Sequence, residues 1–389
     1  MRTTLRAATV SGLLTVALTA VAMPADAGIA SPSPSRRVDL EHPVFTNPTH
    51  ITNPLFPIAS TDQGLMLGAE GDVGLRQEVT LLDHTRTIRW AGQDIEAVVS
   101  QFVAQGDGRI VEVATDYFAQ ADDGSVWYLG EDVTTYEDGL VTGHAGSWLA
   151  GRDGPGGMIM PAHPEPGDVY RPENIPGLVL EETTVLQTDL TVEGPTGEVH
   201  GAILVQERPM GGDLEQKLYA PGYGEFTASV PASFEAVATA VAIPTDAIGG
   251  GAPPAVDRLA DSAGALYDTG AAGSWSDLAG LAGDARQAWE SLSAAAEVPP
   301  LLDDQATGAL DAVDGAIGRR SRAELREAAV ELQQATLDLQ MQYEDIDVVD
   351  VGRVGAWQRQ EAVDRAAGDA GSVRSDRVII ATILDRISG

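Results

Sequence analysis

Hydrophobic and polar positions follow two different periods along this chain, and the change falls near residue 250. From about 60 to 245, β-branched and aromatic residues alternate with polar ones, as in Arg76–Leu82, Ile95–Val103 and Arg109–Phe118, which predicts half-buried strands. Asp-Gly pairs begin at Asp107, Asp123, Asp138 and Asp153, spaced 16, 15 and 15 residues apart. Asp-Gly accepts the positive φ angles of tight hairpins, so the even spacing predicts a meander. Further strands are expected at Val179–Val192, Glu198–Gln206 and Leu214–Tyr219, after an irregular loop at Gly151–Pro166. No connection has room for a helical crossover, so antiparallel pairing is expected, in a curved sheet or an open barrel. Residues 225–245 fit a last strand or a helix equally.

Beyond Gly249-Gly-Gly-Ala-Pro-Pro254, apolar residues recur at intervals of three and four. Leu325, Ala328, Ala329, Leu332, Ala335 and Leu339 form one stripe of a long helix, with Ser321 and Glu324 as a capping box before it. Glycine-containing turns followed by serine caps at Ser274, Ser321 and Ser372 recur 47 and 51 residues apart. They predict three αα-hairpins, over about 255–298, 302–346 and 351–388, in a short solenoid or a six-helix bundle. The expected fold class is therefore α+β, an antiparallel β meander followed by an all-α helical-hairpin domain. Its parts are a β domain over 53–245, a Gly/Pro linker over 246–254 and a helical domain over 255–389.

The start of the chain changes the setting. Arg2 and Arg6, the apolar run Val10–Met23 and Ala25-Asp26-Ala27 predict a cleavable export signal over 1–27. No cysteine follows that run, so a lipid anchor is not expected, and a secreted or cell-envelope location is. Residues 28–52 are rich in Pro and Ser and predict an extended arm. The 389 residues carry 24 basic against 58 acidic side chains, net −34, and Lys217 is the only lysine. Such a surface repels phosphate backbones and anionic headgroups, so neither nucleic-acid binding nor stable membrane insertion of the mature chain is expected. The absence of cysteine removes disulfides, thiolate metal sites and cysteine nucleophiles together.

Candidate chemistry is sparse. Gly146-Ser147-Trp148 lies inside the meander and not at a strand-to-helix elbow, so Ser147 does not read as a nucleophile. Of six scattered histidines, His163 is the most interesting, with Glu165 and Asp168 close by, a candidate metal set on a proline-stiffened loop. The Asp-Gly turns offer one or two carboxylates each, such as Asp122-Asp123, which turn chemistry explains without calcium. Glu173, Glu181 and Glu182 stand among apolar residues, and on a strand Glu181 and Glu182 face opposite ways. Tyr117, Trp127, Tyr128 and Trp148, with Glu173 and Glu182, are the candidate ligand-binding residues. No glycine-rich phosphate loop joins a strand to a helix, so no nucleotide cofactor is expected.

Asp116-Tyr-Phe-Ala-Gln120, Gly124-Ser-Val-Trp-Tyr-Leu-Gly-Glu131, Gly146-Ser-Trp148, Ala150-Gly151, Met160-Pro-Ala162, Gly167-Asp168 and Tyr219-Ala-Pro-Gly-Tyr-Gly224 carry a resemblance. Over about residues 53–226 the chain resembles a family of exported bacterial proteins and lipoproteins with no assigned activity. The resemblance implies a curved antiparallel sheet similar to the lipoprotein-carrier type, which holds apolar ligands in its concavity. Where that family continues Tyr-x-Gln-Glu and then an acidic stretch, this chain reads Tyr170-Arg-Pro-Glu173 and Ile175-Pro-Gly-Leu-Val-Leu-Glu-Glu182. Three functions follow as expectations. The first is an exported, non-catalytic binding protein for an apolar or amphipathic small molecule, touching an envelope protein through its helices. The second is a secreted carboxylate-dependent hydrolase, and the third is a cell-envelope interaction module.

Overall fold

A computed structural model describes residues 35–40, 42–212, 214–229 and 241–388. The expected export signal, and residues 230–240 of the ambiguous 225–245 stretch, lie outside them. The first sheet holds β2 (Gln63–Glu70), β3 (Val73–Trp90), β4 (Gln93–Gly106), β5 (Arg109–Gln120), β6 (Val126–Glu137) and β7 (Leu140–Gly143), with β15 (Val241–Ile243) beside β2. The short strands β8 (Trp148–Leu149) and β9 (Gly157–Met160) also pair with β6, making nine strands. The second sheet runs β1 (Arg36–Arg37), β10 (Asp168–Ile175), β11 (Val179–Gly194), β12 (Gly197–Pro209), β13 (Glu215–Ala220) and β14 (Gly224–Ser229). Neither sheet closes. All four Asp-Gly pairs fall at turns of the first sheet, and Gly108, Gly124 and Gly139 take positive φ there.

The single meander expected from the sequence is thus divided into two sheets. The division falls between β9 and β10, in the loop holding Pro161, Pro164 and Pro166, residues that cannot donate to a ladder. One pairing departs from the antiparallel rule: β1 runs parallel to β10, with Arg36 opposite Asp168. The parallel pair needs no crossover helix because the whole first sheet serves as the connection between them.

The sheets share a core. Ile88, Ile95, Val99, Trp127 and Met160 of the first sheet meet Tyr170, Val185, Ile203, Val205 and Tyr219 of the second. The arm adds Ile51 and the segment after it Leu55 and Ile58, and the backbone where they join is fixed by the Gln120 side chain, whose Oε1 accepts from Thr52 and Asn53 N–H at 2.8 and 3.0 Å.

Six helices follow among the described residues: α1 (Pro254–Gly270), α2 (Trp275–Ala295), α3 (Pro300–Arg319), α4 (Arg322–Gln340), α5 (Ile346–Ala367) and α6 (Ala370–Ser388). They pair as three hairpins, and α1 also packs on α4. Ser274 and Ser321 cap α2 and α4 through the Asp277 and Glu324 N–H groups. The capping box is half formed, because the Glu324 carboxylate turns to Arg319 at 2.6 Å. Ser372 is not the third cap. It lies inside α6, and the Asp369 carboxylate caps that helix by accepting from Gly371 and Ser372 N–H, both at 3.0 Å. A carboxylate at this end is favoured by the helix dipole as well as by two amide donors.

The helices pack on the first sheet. Trp357, Ile379 and Ile383 cover Val103 and Ile110. Beside them lies a buried network of three guanidiniums and three carboxylates. Arg76 bonds Asp338 at 2.6 Å and Glu78 at 2.8 Å. Arg353 bonds Asp338 and Asp350, each at 3.0 Å. Arg386 bonds Asp350 at 2.6 Å and Glu78 at 2.9 Å. Charge balances, so burial is tolerated, and β3 is joined to α4, α5 and α6.

Candidate functional site

Two irregularities aim carboxylates into the space between the sheets. On β6, Tyr117 pairs with Gly130 but Phe118 with Tyr128, so Leu129 is an extra residue and Tyr128 and Glu131 share a face. Gly130 makes this possible at φ 134°, since a Cβ there would strike the Trp148 carbonyl. On β10, Tyr170 pairs with Thr183 but Glu173 with Glu181, so the Arg171-Pro172 step is bulged and Glu173 returns to the Tyr170 face. Gly157 lets β9 approach this bulge, because a Cβ there would meet the Pro172 carbonyl.

Glu131 lies opposite Asp116 on β5 and Trp148 on β8. Across the seam it shares a hydrogen bond with Glu173. Register continues the row on the second sheet through Glu181, Thr183 and Glu207. Lys217 Nζ then stands 2.9 Å from Glu207 Oε2 and 3.1 Å from Glu225 Oε2. Asp116 and Glu207 are buried, whereas Glu131, Glu173, Glu181 and Lys217 are half-buried, so the row reaches solvent.

Burial, which penalises the charged form, dominates the electrostatics. It pushes the Asp116 carboxyl up to about 7, with Glu112 and Glu173 adding repulsion against the hydrogen bond from Tyr128 Oη at 2.7 Å. Glu131 is pushed up to about 9 by burial and by Asp116 and Glu173, and Glu181 up to about 8 by burial and Glu207. Glu173 is raised by burial but pulled back by Glu131 and the Trp148 indole. Glu131 therefore holds its proton through neutral pH, beside a Glu173 that burial also raises.

Several buried polar atoms in this seam lack a partner at full hydrogen-bond geometry: Ser100 Oγ, Trp148 Nε1, Tyr170 Oη and Thr183 Oγ1. Each belongs to a residue at most 1% exposed. Ser100 stands opposite Asp116 and Thr183 opposite Tyr170, which sets them on the faces that carry the carboxylates.

The residues singled out in the sequence divide. Trp148 and Glu173 belong to the seam, and Tyr128 borders it through Asp116. Tyr128 stacks on Phe118 at 4.8 Å and meets Trp148 edge-on at 5.4 Å, so these rings fill the core. Trp127 packs on Trp90 at 5.5 Å, and Tyr117 donates to Asp132 at 2.6 Å beneath Arg86. Glu182 faces away, 2.9 Å from Arg171; its neighbour Glu181 is the inward one. His163 is exposed, while Asp168 is bound by Arg36 at 2.8 Å and accepts from the Glu165 N–H. Among the described residues no three His, Asp or Glu side chains are grouped to hold a metal ion. Asp116, Glu131, Glu207 and Lys217 escaped sequence reasoning. The alternation of Glu215, Lys217 and Tyr219, with the only lysine on the inward face of a strand, was the available signal.

Two concavities lie elsewhere. One, of about 80 Å³, is lined by Leu65, Leu67, Val241 and Leu302; the other is an open polar groove of about 370 Å³ lined by Arg258, Asp261, Asp284 and Gln287. No family model, curated protein or solved structure matches the chain.

The seam predicts an unusual pH profile. Asp116, Glu131 and Glu181 have folded pKa values above the unfolded ones, so the folded state binds more protons and stability falls as pH rises from about 4.5 to 9. Glu78 and Asp338 are held low by their arginines, so their contribution is lost only as pH falls below about 4. Thermal unfolding should show the highest Tm at roughly pH 5, a decline toward pH 9, and a shallower decline in Glu131→Gln. A Tm that is flat or rising from pH 6 to 9 contradicts the assignment.

Proposed function

We propose that the exported chain is a binding protein whose ligand is polar and enters the carboxylate seam between the two sheets. The observation that carries this reading is the row of Asp116, Glu131, Glu173 and Glu181 along one seam with three partnerless buried hydroxyls, those of Ser100, Tyr170 and Thr183. A partnerless buried polar atom costs about 1–3 kcal/mol, so three along one row suit a hydrogen-bonding guest. An apolar guest is less well supported, since Trp127, Tyr128 and Trp148 are packed against other rings.

Native mass spectrometry of the protein isolated from the cells that make it tests the reading. The wild type should carry a non-covalent adduct that is absent from Glu173→Gln and retained in Glu182→Gln, the outward control. A bare chain mass for wild type, or an adduct that survives Glu173→Gln, removes the seam as the binding site.

A second reading, a carboxylate-dependent hydrolase, draws support from the proton shared between Glu131 and Glu173. Two carboxyls in hydrogen-bond contact stand closer than the roughly 5 Å of a retaining glycosidase, so the arrangement suits a proton-sharing dyad and not a glycosidase pair. Hydrolysis of a fluorescently labelled casein that disappears in both Glu131→Gln and Glu173→Gln would favour it over binding alone.

A further inference from the structure

Positive charge is distributed unevenly along the carboxylate row. At the β12–β14 end, the Lys217 ammonium lies between Glu207 and Glu225, on an aliphatic stem beside Tyr219. At the other end, Asp116, Glu131, Glu173 and Glu181 have no cation at ion-pair distance among the described residues. Of the partnerless atoms, Ser100 Oγ faces that end opposite Asp116, while Tyr170 Oη and Thr183 Oγ1 lie along the row between Glu181 and Glu207; all three are hydroxyl oxygens able to accept a hydrogen bond. The row places roughly one carboxylate per strand at the ~4.8 Å strand spacing, unlike the converging tripod that a metal ion needs.

We propose that the Asp116–Glu131–Glu173–Glu181 end of the seam binds the ammonium group of an aliphatic amine, a counterpart in trans of the Lys217 ammonium at the other end. The assignment rests on the seam being the binding site and adds the class of ligand. An ammonium has three donors and no acceptor, which matches carboxylates and hydroxyl oxygens that are short of donors. The bound charge also replaces the protons that Glu131 and Glu181 hold near neutral pH, because an opposite charge within about 4–6 Å favours the carboxylate. Amine uptake is therefore coupled to proton release. The groups facing Glu131 are Asp116 on β5, Tyr128 on its own strand and Glu173 on β10; those facing Glu181 are Glu173, Glu207, Glu215 and Lys217.

Isothermal titration calorimetry of the mature chain with 1,4-diaminobutane tests this, against the neutral isostere 1,4-butanediol. About 150 mM salt is needed to screen diffuse attraction to the acidic surface. The diamine should bind, the diol should not, and the heat should change between buffers of different ionisation enthalpy by an amount that reports proton release. Affinity should fall at least tenfold in Glu173→Gln and stay unchanged in Glu182→Gln. Equal binding of diol and diamine, or diamine binding indifferent to Glu173→Gln, overturns the proposal. The ¹³C carboxyl resonances of Glu131 and Glu173 give a reading free of variants: saturating diamine should move their titration midpoints to lower pH, and unmoved midpoints overturn it. If the diamine does not bind while a Glu173-dependent native adduct is present, the amine assignment fails and the seam reading stands. If the adduct is absent as well, both fail.

Discussion

Replacing Arg353 by methionine is expected to destabilise the fold by about 3–5 kcal/mol, the cost of removing one partner from a buried ion pair and leaving the rest uncompensated. Arg353 is 3% exposed and bonds Asp338, Asp350 and the Gln63 side chain, at 3.0, 3.0 and 2.5 Å. Without it two arginines face three carboxylates, and methionine supplies volume but no charge. Equilibrium urea unfolding should show a lowered midpoint. Because the network joins the first sheet to α4, α5 and α6, hydrogen exchange in α5 and α6 should rise more than exchange in the second sheet. A loss below about 1 kcal/mol would place the attachment of the helices in the apolar contacts of Trp357, Ile379 and Ile383.

Trp148→Ala is expected to cost a similar amount, about 3–5 kcal/mol, for a different reason. The side chain is fully buried, meets Tyr128 edge-on at 5.4 Å and belongs to the residue opposite Glu131, beside the bulge at Leu129-Gly130. Its removal opens a void that the bulged strand cannot close, and takes the indole away from Glu173. Trp148→Phe should recover most of the stability while leaving Glu173 without the indole N–H. Comparing the urea midpoints of the two variants with the Glu173 titration separates packing from electrostatics. Two variants with equal stability would mean that the void collapses and that the core is not close-packed here.

Much of this fold was legible because its punctuation is local. Asp-Gly turns, serine caps and a change of apolar period each depend on a few neighbouring residues, and the strands from Arg76 to Phe118 and the three helical hairpins follow from them. The site was hidden because it depends on breaks in that regularity. Strict alternation places Glu131 on the face opposite Tyr128, and Glu173 opposite Tyr170; one extra residue in each strand reverses both. Such bulges are decided by what the partner strand tolerates, here a glycine against the Trp148 carbonyl and a proline that cannot donate. Ser372 misled for a related reason. It has the right type and spacing for a cap, but an aspartate three residues earlier satisfies more of the free amides.

The buried network also has a temporal side. Arg386 and Glu78, 2.9 Å apart in the folded chain, are separated by 308 positions in sequence. A chain made N-terminus first must keep Glu78 waiting until Arg386 has emerged. During that interval β3 holds a carboxylate meant for burial and an uncovered outer face. Completion of the fold is thus tied to completion of the chain, and one stalled before α6 would stay open to the proteases and chaperones that inspect newly made proteins.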